Sequence, residues 1–243
     1  MKTRLLALLV TWAWTPAFAA APQPADVAAP RPEYFQFAHM HEMHLDRARV
    51  APVGLMFLGD SITEAWWNVP DLWRARFGRW QPANCGISGD RTQHVIWRLE
   101  HGLLDQAAPK GIVLMIGTNN SADHAAAEIL AGIDRILALI HGRRPATKVL
   151  LLAIFPRGPR TSWDGKPDAW EQRLAVIREV NAQLPARADG NRVRFLDVGH
   201  VFLDAAGNIP ADLMPDQLHL SNAAYERWAD AMTPVLEEML TSK

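Results

Sequence analysis

The chain has 243 residues, of which 25 are basic and 26 acidic, so its formal net charge is −1. This length fits one domain with a substantial buried core, and the balanced charge argues against a nucleic-acid partner, which would need a basic surface. Cys85 is the single cysteine, so an internal disulfide is excluded and stability must come from packing. We interpret Cys85 as a buried residue that follows a strand, and the alternative is a nucleophilic thiol.

The N-terminus has the pattern of a secretory leader. Lys2 and Arg4 precede an apolar run at 5–10, and small residues flank Phe18 as in a cleavage site. We therefore predict a signal peptide at residues 1–21 and a secreted or periplasmic mature protein without stable membrane insertion. The alternative is an uncleaved N-terminal anchor, for which the apolar run is short.

The stretch after this leader is rich in alanine and proline. Residues 22–32, within "APQPADVAAPRP", predict an unstructured or extended tether. The folded domain is then expected to span residues 33–243.

Apolar runs alternate with amphipathic segments along the rest of the chain, which is typical of a parallel sheet with helices on both faces. The predicted strands are 53–58, 81–84, 111–116, 148–154 and 192–196. The predicted helices are about 34–48, 62–77, 91–101, 122–142, 168–184 and 221–240. This order predicts an α/β fold, a three-layer α/β/α sandwich around a five-stranded parallel sheet.

Functional groups of such sheets gather where strands end and loops lead into helices. Four polar turns are expected at this edge: "GDS" after the first strand, "NCGISGD" after the second, "GTNN" after the third, and "MPDQLHL" before the last helix. Chemistry is therefore predicted at these turns.

Ser61, in "FLGDSITEAWW", has two possible roles. With Glu64 it fits S-x-x-E, the capping box of a helix start. It also lies where a helix N-terminus favours developing negative charge, which suits a serine nucleophile and its own backbone N–H as an oxyanion donor.

The other turns supply the groups that a serine nucleophile needs. Asp216 and His219 lie three residues apart, so one turn can bring the carboxylate to one imidazole nitrogen; alternatively, Asp216 bonds only a backbone amide and His219 caps the last helix. Gly89 allows a backbone N–H to approach a substrate, and Asn119 offers a side-chain amide. Both are also ordinary turn residues.

Four stretches, "FLGDSITEAW", "NCGISGDRTQHVIWRL", "MIGTNN" and "DQLHLSNAAY", resemble in order the four sequence blocks of the SGNH hydrolase (GDSL esterase/lipase) superfamily. "GISGDRTQHVIWRLEHG" and "GTNN" are particularly similar to the platelet-activating factor acetylhydrolase Ib catalytic-subunit branch. The resemblance covers about residues 50–230 and implies a flavodoxin-like SGNH hydrolase fold. "GDSIT" is not G-x-S-x-G, and acid and base share one turn, which argues against an α/β-hydrolase.

The resemblance implies a serine esterase that needs no cofactor. Its implied site comprises the nucleophile Ser61, the oxyanion donors Gly89 and Asn119, and Asp216 with His219 to complete the triad. Short acyl groups, especially acetyl, are the expected substrates, and export favours a carbohydrate O-acetyl ester. The alternatives are a lysophospholipase or thioesterase acting on longer chains, and a non-catalytic sugar-binding protein with this fold. A homo-oligomer is compatible with the sequence.

Asp60, Arg157 and Trp163 are further candidates for substrate contact. Arg157 and Arg160, in a Pro/Gly-bearing loop, either bind a carboxylate or are solvated; Trp163 either stacks on a substrate or packs internally. "HMHEMH" lacks the H-E-x-x-H spacing, so no metal site is predicted. Phosphate-binding glycine motifs are also absent from the sequence.

Overall fold

The computed structural model describes residues 22–161 and 165–241, and its centre is one parallel sheet. The strands are β1 (Leu55–Gly59), β2 (Pro82–Gly86), β3 (Gly111–Met115), β4 (Lys148–Leu152) and β5 (Val193–Leu196). They are hydrogen-bonded in the order β2-β1-β3-β4-β5. The predicted α/β fold with five parallel strands is confirmed.

Helices lie on both faces of this sheet. In the described part of the chain they are α1 (Phe37–Val50), α2 (Ser61–Glu64), α3 (Pro70–Phe77), α4 (Thr92–Arg98), α5 (Ala126–Arg143), α6 (Trp170–Gln183) and α7 (Asn222–Thr241). None of the helices within these ranges combines the length and apolar character that crossing a membrane requires.

Residues of each strand alternate between two hydrophobic cores. In β1, Met56 and Leu58 pack with α4, α5 and α6, whereas Leu55 and Phe57 pack with α3 and α7. This alternation follows from the two-residue period of a strand, and burial on both faces explains why β1 is entirely buried. The sheet therefore stands between two helix layers, with its carboxyl edge open for polar turns.

The predicted helix at 62–77 is two helices instead. α2 ends at Glu64, a 3₁₀ turn covers Ala65–Asn68, and α3 begins at Pro70. Proline lacks an N–H and disfavours helical backbone in the preceding residue. Val69 accordingly leaves the helical region, with φ −129° and ψ 56°.

The Ala/Pro-rich residues 22–32 contain no helix or strand, but they pack against the domain. Ala25 and Ala29 are buried, and the Thr92 hydroxyl donates to the Ala25 carbonyl at 2.6 Å. A Cβ at Gly132 of α5 would lie 2.5 Å from the same carbonyl, so glycine permits this close approach. The segment is therefore part of the folded domain and not a free tether. The predicted signal peptide, residues 1–21, lies outside the described residues.

Candidate active site

Ser61 is the first residue of α2, separated from the end of β1 by one residue, but it does not cap the helix. Asp60 is the cap, because its Oδ1 accepts the Ile62 N–H at 3.0 Å. The Glu64 carboxylate accepts from the backbone N–H of Ser88 instead of closing a capping box. The capping interpretation of Ser61 and Glu64 is therefore wrong, and the Ser61 hydroxyl is left for another partner.

That partner is His219. The Ser61 Oγ lies 3.0 Å from His219 Nε2, and His219 Nδ1 lies 2.7 Å from Asp216 Oδ2. Because the carboxylate accepts from Nδ1–H, Nε2 is left to accept the serine proton. The structure thus brings the three residues into one hydrogen-bonded chain across 158 residues of sequence.

Asp216 is oriented by bonds to both of its carboxylate oxygens. Oδ1 accepts the backbone N–H groups of Leu218, at 3.1 Å, and His219, at 2.6 Å. Arg160 donates to Oδ2 at 3.0 Å, so this loop arginine does bind a carboxylate, one belonging to the protein. Partial burial alone would raise the pKa of Asp216, but the bonds from His219 and the nearby Arg160 lower it below its ordinary value. The charged form that an imidazolium needs is therefore favoured.

Gly89 and Asn119 lie together at the same sheet edge. Gly89 has a φ of +75°, a conformation that favours glycine. Asn119 uses one hydrogen of Nδ2 to bond the Asp90 carbonyl at 2.9 Å. Both residues line a cavity of about 430 Å³. The other residues lining it are Gln23, Ala29, Pro30, Arg31, Glu33, Arg91, Gln93, His94, Ala122 and Arg173.

The turn that carries Gly89 is joined to the turn that carries Ser61. The Ile87 N–H donates to the Gly59 carbonyl at 3.2 Å, and the Glu64 carboxylate reaches the N–H of Ser88. Adjacent parallel strands β1 and β2 bring these two turns to the same edge. Backbone donors from both turns can thereby face one reacting group.

A buried ion pair that the sequence analysis missed lies beneath these turns. Arg98 Nη2 is 2.9 Å from Asp90 Oδ2, and both side chains are fully buried. Arg98 also donates to the carbonyls of Cys85, at 2.7 Å, and Gly59, at 3.4 Å. Burial raises the pKa of Asp90 to about 6 despite the opposing effect of Arg98. The sequence contains one signal for this ion pair. Arg98 follows the apolar Val95 by three residues, so both lie on the core face of α4.

Two of the predicted substrate contacts, Asp60 and Arg157, are buried and bonded within the protein. Asp60 is 1% exposed and caps α2. Arg157 is also buried: it pairs with Asp168 and donates to Thr118 Oγ1 at 3.3 Å, and burial lowers its pKa to about 10. Asp60 thereby holds the start of α2, and Arg157 holds the loop after β4 through Asp168. Trp163 lies outside the described residues.

Cys85 and the histidines of "HMHEMH" were the other candidates for chemistry, and both lie in structural settings. Cys85 is buried, and burial raises the pKa of its thiol to about 12, so the thiol stays protonated at neutral pH. His41, from "HMHEMH", contacts the His101 carbonyl through Nε2 at 3.0 Å. Among the described residues, no group of three or more His, Cys, Asp or Glu side chains is arranged to hold a metal ion.

The burial of Asp60 predicts a pH-dependent effect on stability. Asp60→Asn is expected to raise the free energy of unfolding by roughly 4 kcal/mol at pH 8 and to change it little at pH 4. Burial raises the pKa of Asp60 from 3.8 to about 7, so the contribution of the protonated carboxyl is full below about pH 4 and is lost as the pH rises through 7. Asparagine keeps the cap bond without a charge.

Urea unfolding at both pH values measures this effect. Asp71→Asn is the matched control, since Asp71 also lies at a helix start but its side chain is 94% exposed. Equal stabilisation of Asp60→Asn at pH 4 and pH 8 would contradict the burial argument.

Residues 57–227 match the model of the GDSL-like Lipase/Acylhydrolase family, a range that contains Ser61, Gly89, Asn119, Asp216 and His219. The chain belongs to this family. The predicted GDSL resemblance is thereby confirmed, and the GDSL-like chain is a hydrolase.

Relatives of this GDSL-like hydrolase include platelet-activating factor acetylhydrolase IB subunits. It is 35% identical to subunit alpha1 from Bos taurus over 77% of this chain and 76% of the relative. It is 33% identical to subunit alpha2 from Rattus norvegicus over 76% and 77%. A GDSL-like lipase from Bacteroides thetaiotaomicron shares the fold, with a TM-score of 0.67 and 18% identity over 83% of this chain and 98% of that structure.

Proposed function

We propose that this GDSL-like hydrolase is a serine esterase that removes short acyl groups, preferably acetyl, from oxygen esters. Ser61 is the nucleophile, His219 is the general base and Asp216 orients the imidazole. The observation that carries the proposal is the continuous hydrogen-bonded chain from Ser61 Oγ through His219 to Asp216. Such a chain is what a serine needs, since its hydroxyl is a weak nucleophile until a base accepts the proton.

In the first half of the reaction, Ser61 Oγ attacks the ester carbonyl carbon while its proton passes to His219 Nε2. The resulting imidazolium is stabilised by the Asp216 carboxylate at 2.7 Å. The tetrahedral intermediate then collapses, and the C–O bond to the alcohol breaks. His219 returns the proton to the departing alkoxide, which leaves an acyl group on Ser61.

In the second half, water takes the place of the alcohol. His219 accepts a proton from water as the water oxygen attacks the acyl carbon. Collapse of the second intermediate releases the carboxylic acid and returns the proton to Ser61 Oγ. Both halves use the same base because the second repeats the proton transfers of the first, with water in place of the alcohol.

The negative oxygen of each intermediate is held by three N–H donors in this proposal. The N–H of Ser61 lies in the first turn of α2, where a helix offers no internal acceptor and its dipole favours negative charge. The Gly89 N–H and the second hydrogen of Asn119 Nδ2 complete the set. Donors fixed before the reaction stabilise the developing charge without reorganisation.

Two observations support a short acyl group. The cavity at Gly89 and Asn119 is lined mainly by charged and amide side chains, so an acyl chain that extends past these two proposed donors into it would strip water from them at a cost. The relatives at 33–35% identity are named acetylhydrolases. An acetyl group meets both conditions.

The alcohol part is proposed to be a carbohydrate, and the enzyme to be secreted or periplasmic, on the basis of the leader-like N-terminus. The relatives are named after a lipid, platelet-activating factor, so an acetylated lipid is the second candidate substrate. Both substrates would present the same acetyl ester to Ser61.

A series of p-nitrophenyl esters from acetate to dodecanoate tests the acyl part. We expect kcat/KM to be highest for acetate and to fall as the chain lengthens. A preference for eight or more carbons would instead identify the lysophospholipase or thioesterase alternative. Acetate release from acetylated polysaccharides, acetylated sialic acids and platelet-activating factor then separates the alcohols. Absence of turnover across all these esters would favour a non-catalytic sugar-binding protein.

A further inference from the structure

We propose that Arg31, from the Ala/Pro-rich N-terminal segment, is a positioning residue that holds the two oxyanion donors Gly89 and Asn119. This inference rests on the proposed function. Arg31 lies outside the residues that match the family model, which begin at 57. The N-terminal segment would thus complete the active site from outside the part of the chain that matches the family model.

Arg31 bridges the two sides of Gly89. Its Nη1 donates to the Ser88 carbonyl at 2.6 Å and to Asp90 Oδ1 at 3.4 Å. A Cβ built on Gly89 would lie 2.8 Å from Arg31 Nη2, so the guanidinium rests directly against this residue. The side chain is only 14% exposed. One planar cation therefore fixes the turn that presents the Gly89 N–H.

Asp90 extends this effect to Asn119. The Asp90 carbonyl accepts from Asn119 Nδ2 at 2.9 Å, while the Asp90 carboxylate faces Arg31 and Arg98. A shift of Asp90 would therefore move the side-chain donor as well as the backbone donor. Arg31 therefore acts on Gly89 through Ser88 and Asp90, and on Asn119 through Asp90.

Arg31 is itself held in place by its own segment. Its guanidinium lies 4.8 Å from the centre of the Tyr34 ring, and Nε is 3.5 Å from Glu33. The segment is anchored upstream, where Thr92 bonds the Ala25 carbonyl. These contacts make Arg31 a fixed part of the site instead of a mobile surface side chain.

The two other arginines of the cavity are engaged elsewhere. Arg91 pairs with Asp123, and Arg173 donates to Asp168 at 2.9 Å and to the Thr118 carbonyl at 2.9 Å. Neither bridges the turn at Gly89. Arg98 reaches Asp90 from inside the core, so among the described arginines that line the cavity only Arg31 bonds the Ser88 carbonyl.

The test compares Arg31→Ala and Arg31→Lys with Arg49→Ala, whose exposed side chain pairs with Asp46 on α1. With p-nitrophenyl acetate, Arg31→Ala is expected to lose roughly 10–100-fold in kcat with KM within about threefold, because donor alignment matters most in the transition state. Arg31→Lys should recover only part, since an ammonium lacks the planar fork. Arg49→Ala should match wild type.

Two further measurements separate positioning from general stability. Millimolar guanidinium should restore part of the kcat of Arg31→Ala without raising its melting temperature. The ¹H–¹⁵N signals of the Gly89 amide and the Asn119 side-chain amide should shift in Arg31→Ala whether or not the substrate class is correct. Unchanged signals, or a kcat within twofold of wild type, would overturn the role of Arg31. A fall in kcat explained by loss of folded protein would also overturn it. Full activity of Ser61→Ala would instead overturn the proposed function.

Discussion

Ser61→Ala is expected to lower kcat for p-nitrophenyl acetate by about 10⁴–10⁶-fold, because the acyl-enzyme cannot form without the hydroxyl. The remaining turnover would come from the oxyanion donors acting on a water molecule. Stability should change by less than about 0.5 kcal/mol, since Asp60 and not Ser61 caps α2. Steady-state kinetics and urea unfolding of the same preparation measure both quantities.

His219→Ala is the companion variant for this experiment. It should cost about as much as Ser61→Ala, and the double variant should be no slower than either alone, because the two groups act as one unit. Additive losses would mean that Ser61 and His219 serve separate steps. Unreduced turnover in Ser61→Ala would remove Ser61 as the nucleophile.

Arg98→Met is expected to lower the free energy of unfolding by about 3–5 kcal/mol. Methionine fills much of the same volume but leaves the buried Asp90 carboxylate without its 2.9 Å partner. Burial already raises the pKa of Asp90 to about 6, and loss of Arg98 raises it further. The cost should therefore be smaller at pH 5, where Asp90 takes up a proton, than at pH 8.

Arg74→Met is the matched control because Arg74 pairs with Asp71 on the surface, where its side chain is 74% exposed. It should change stability by less than about 1 kcal/mol. The double variant Arg98→Met/Asp90→Asn should recover part of the loss, since it removes the buried carboxylate charge that Arg98 no longer neutralises. An equal cost at pH 5 and pH 8 would show that lost packing, and not the buried charge, causes the effect.

The main features of the fold could be predicted because they depend on local patterns. A strand with an apolar run such as "IVLMIG" can bury the side chains of both its faces only between two helix layers. Alternation of these runs with amphipathic segments then leaves few arrangements other than a parallel sheet. The break before Pro70 was missed because the apolar pattern continues through it, although the proline itself was the signal.

The candidate site was predictable as far as it follows strand ends. Ser61, Gly89 and Asn119 each come shortly after a strand, so their common edge follows from the parallel order. The short spacing of Asp216 and His219 likewise allows one turn to join them. These residues are identified by where the chain turns, which is information that a sequence contains.

Partners among charged side chains were not predictable in this way. The sequence predicts Asp60 and Arg157 as substrate contacts, whereas in the folded chain one caps a helix and the other forms a buried ion pair. The sequence does not distinguish a charged side chain that binds substrate from one that is buried in an ion pair. The two differ only in the folded chain, in the distance to an opposite charge and in the loss of contact with water.

The sequence therefore determined the sheet, its reactive edge and the residues of the hydrogen-bonded chain, because each depends on local periodicity or on a turn. The tertiary structure alone decided what supports that edge. Arg31 meets Asp90 across 59 residues, and Arg98 meets the same carboxylate inside the core. Such pairings form only when distant segments are packed together, since the energy of a buried charge is set by its folded surroundings and not by its neighbours in the chain.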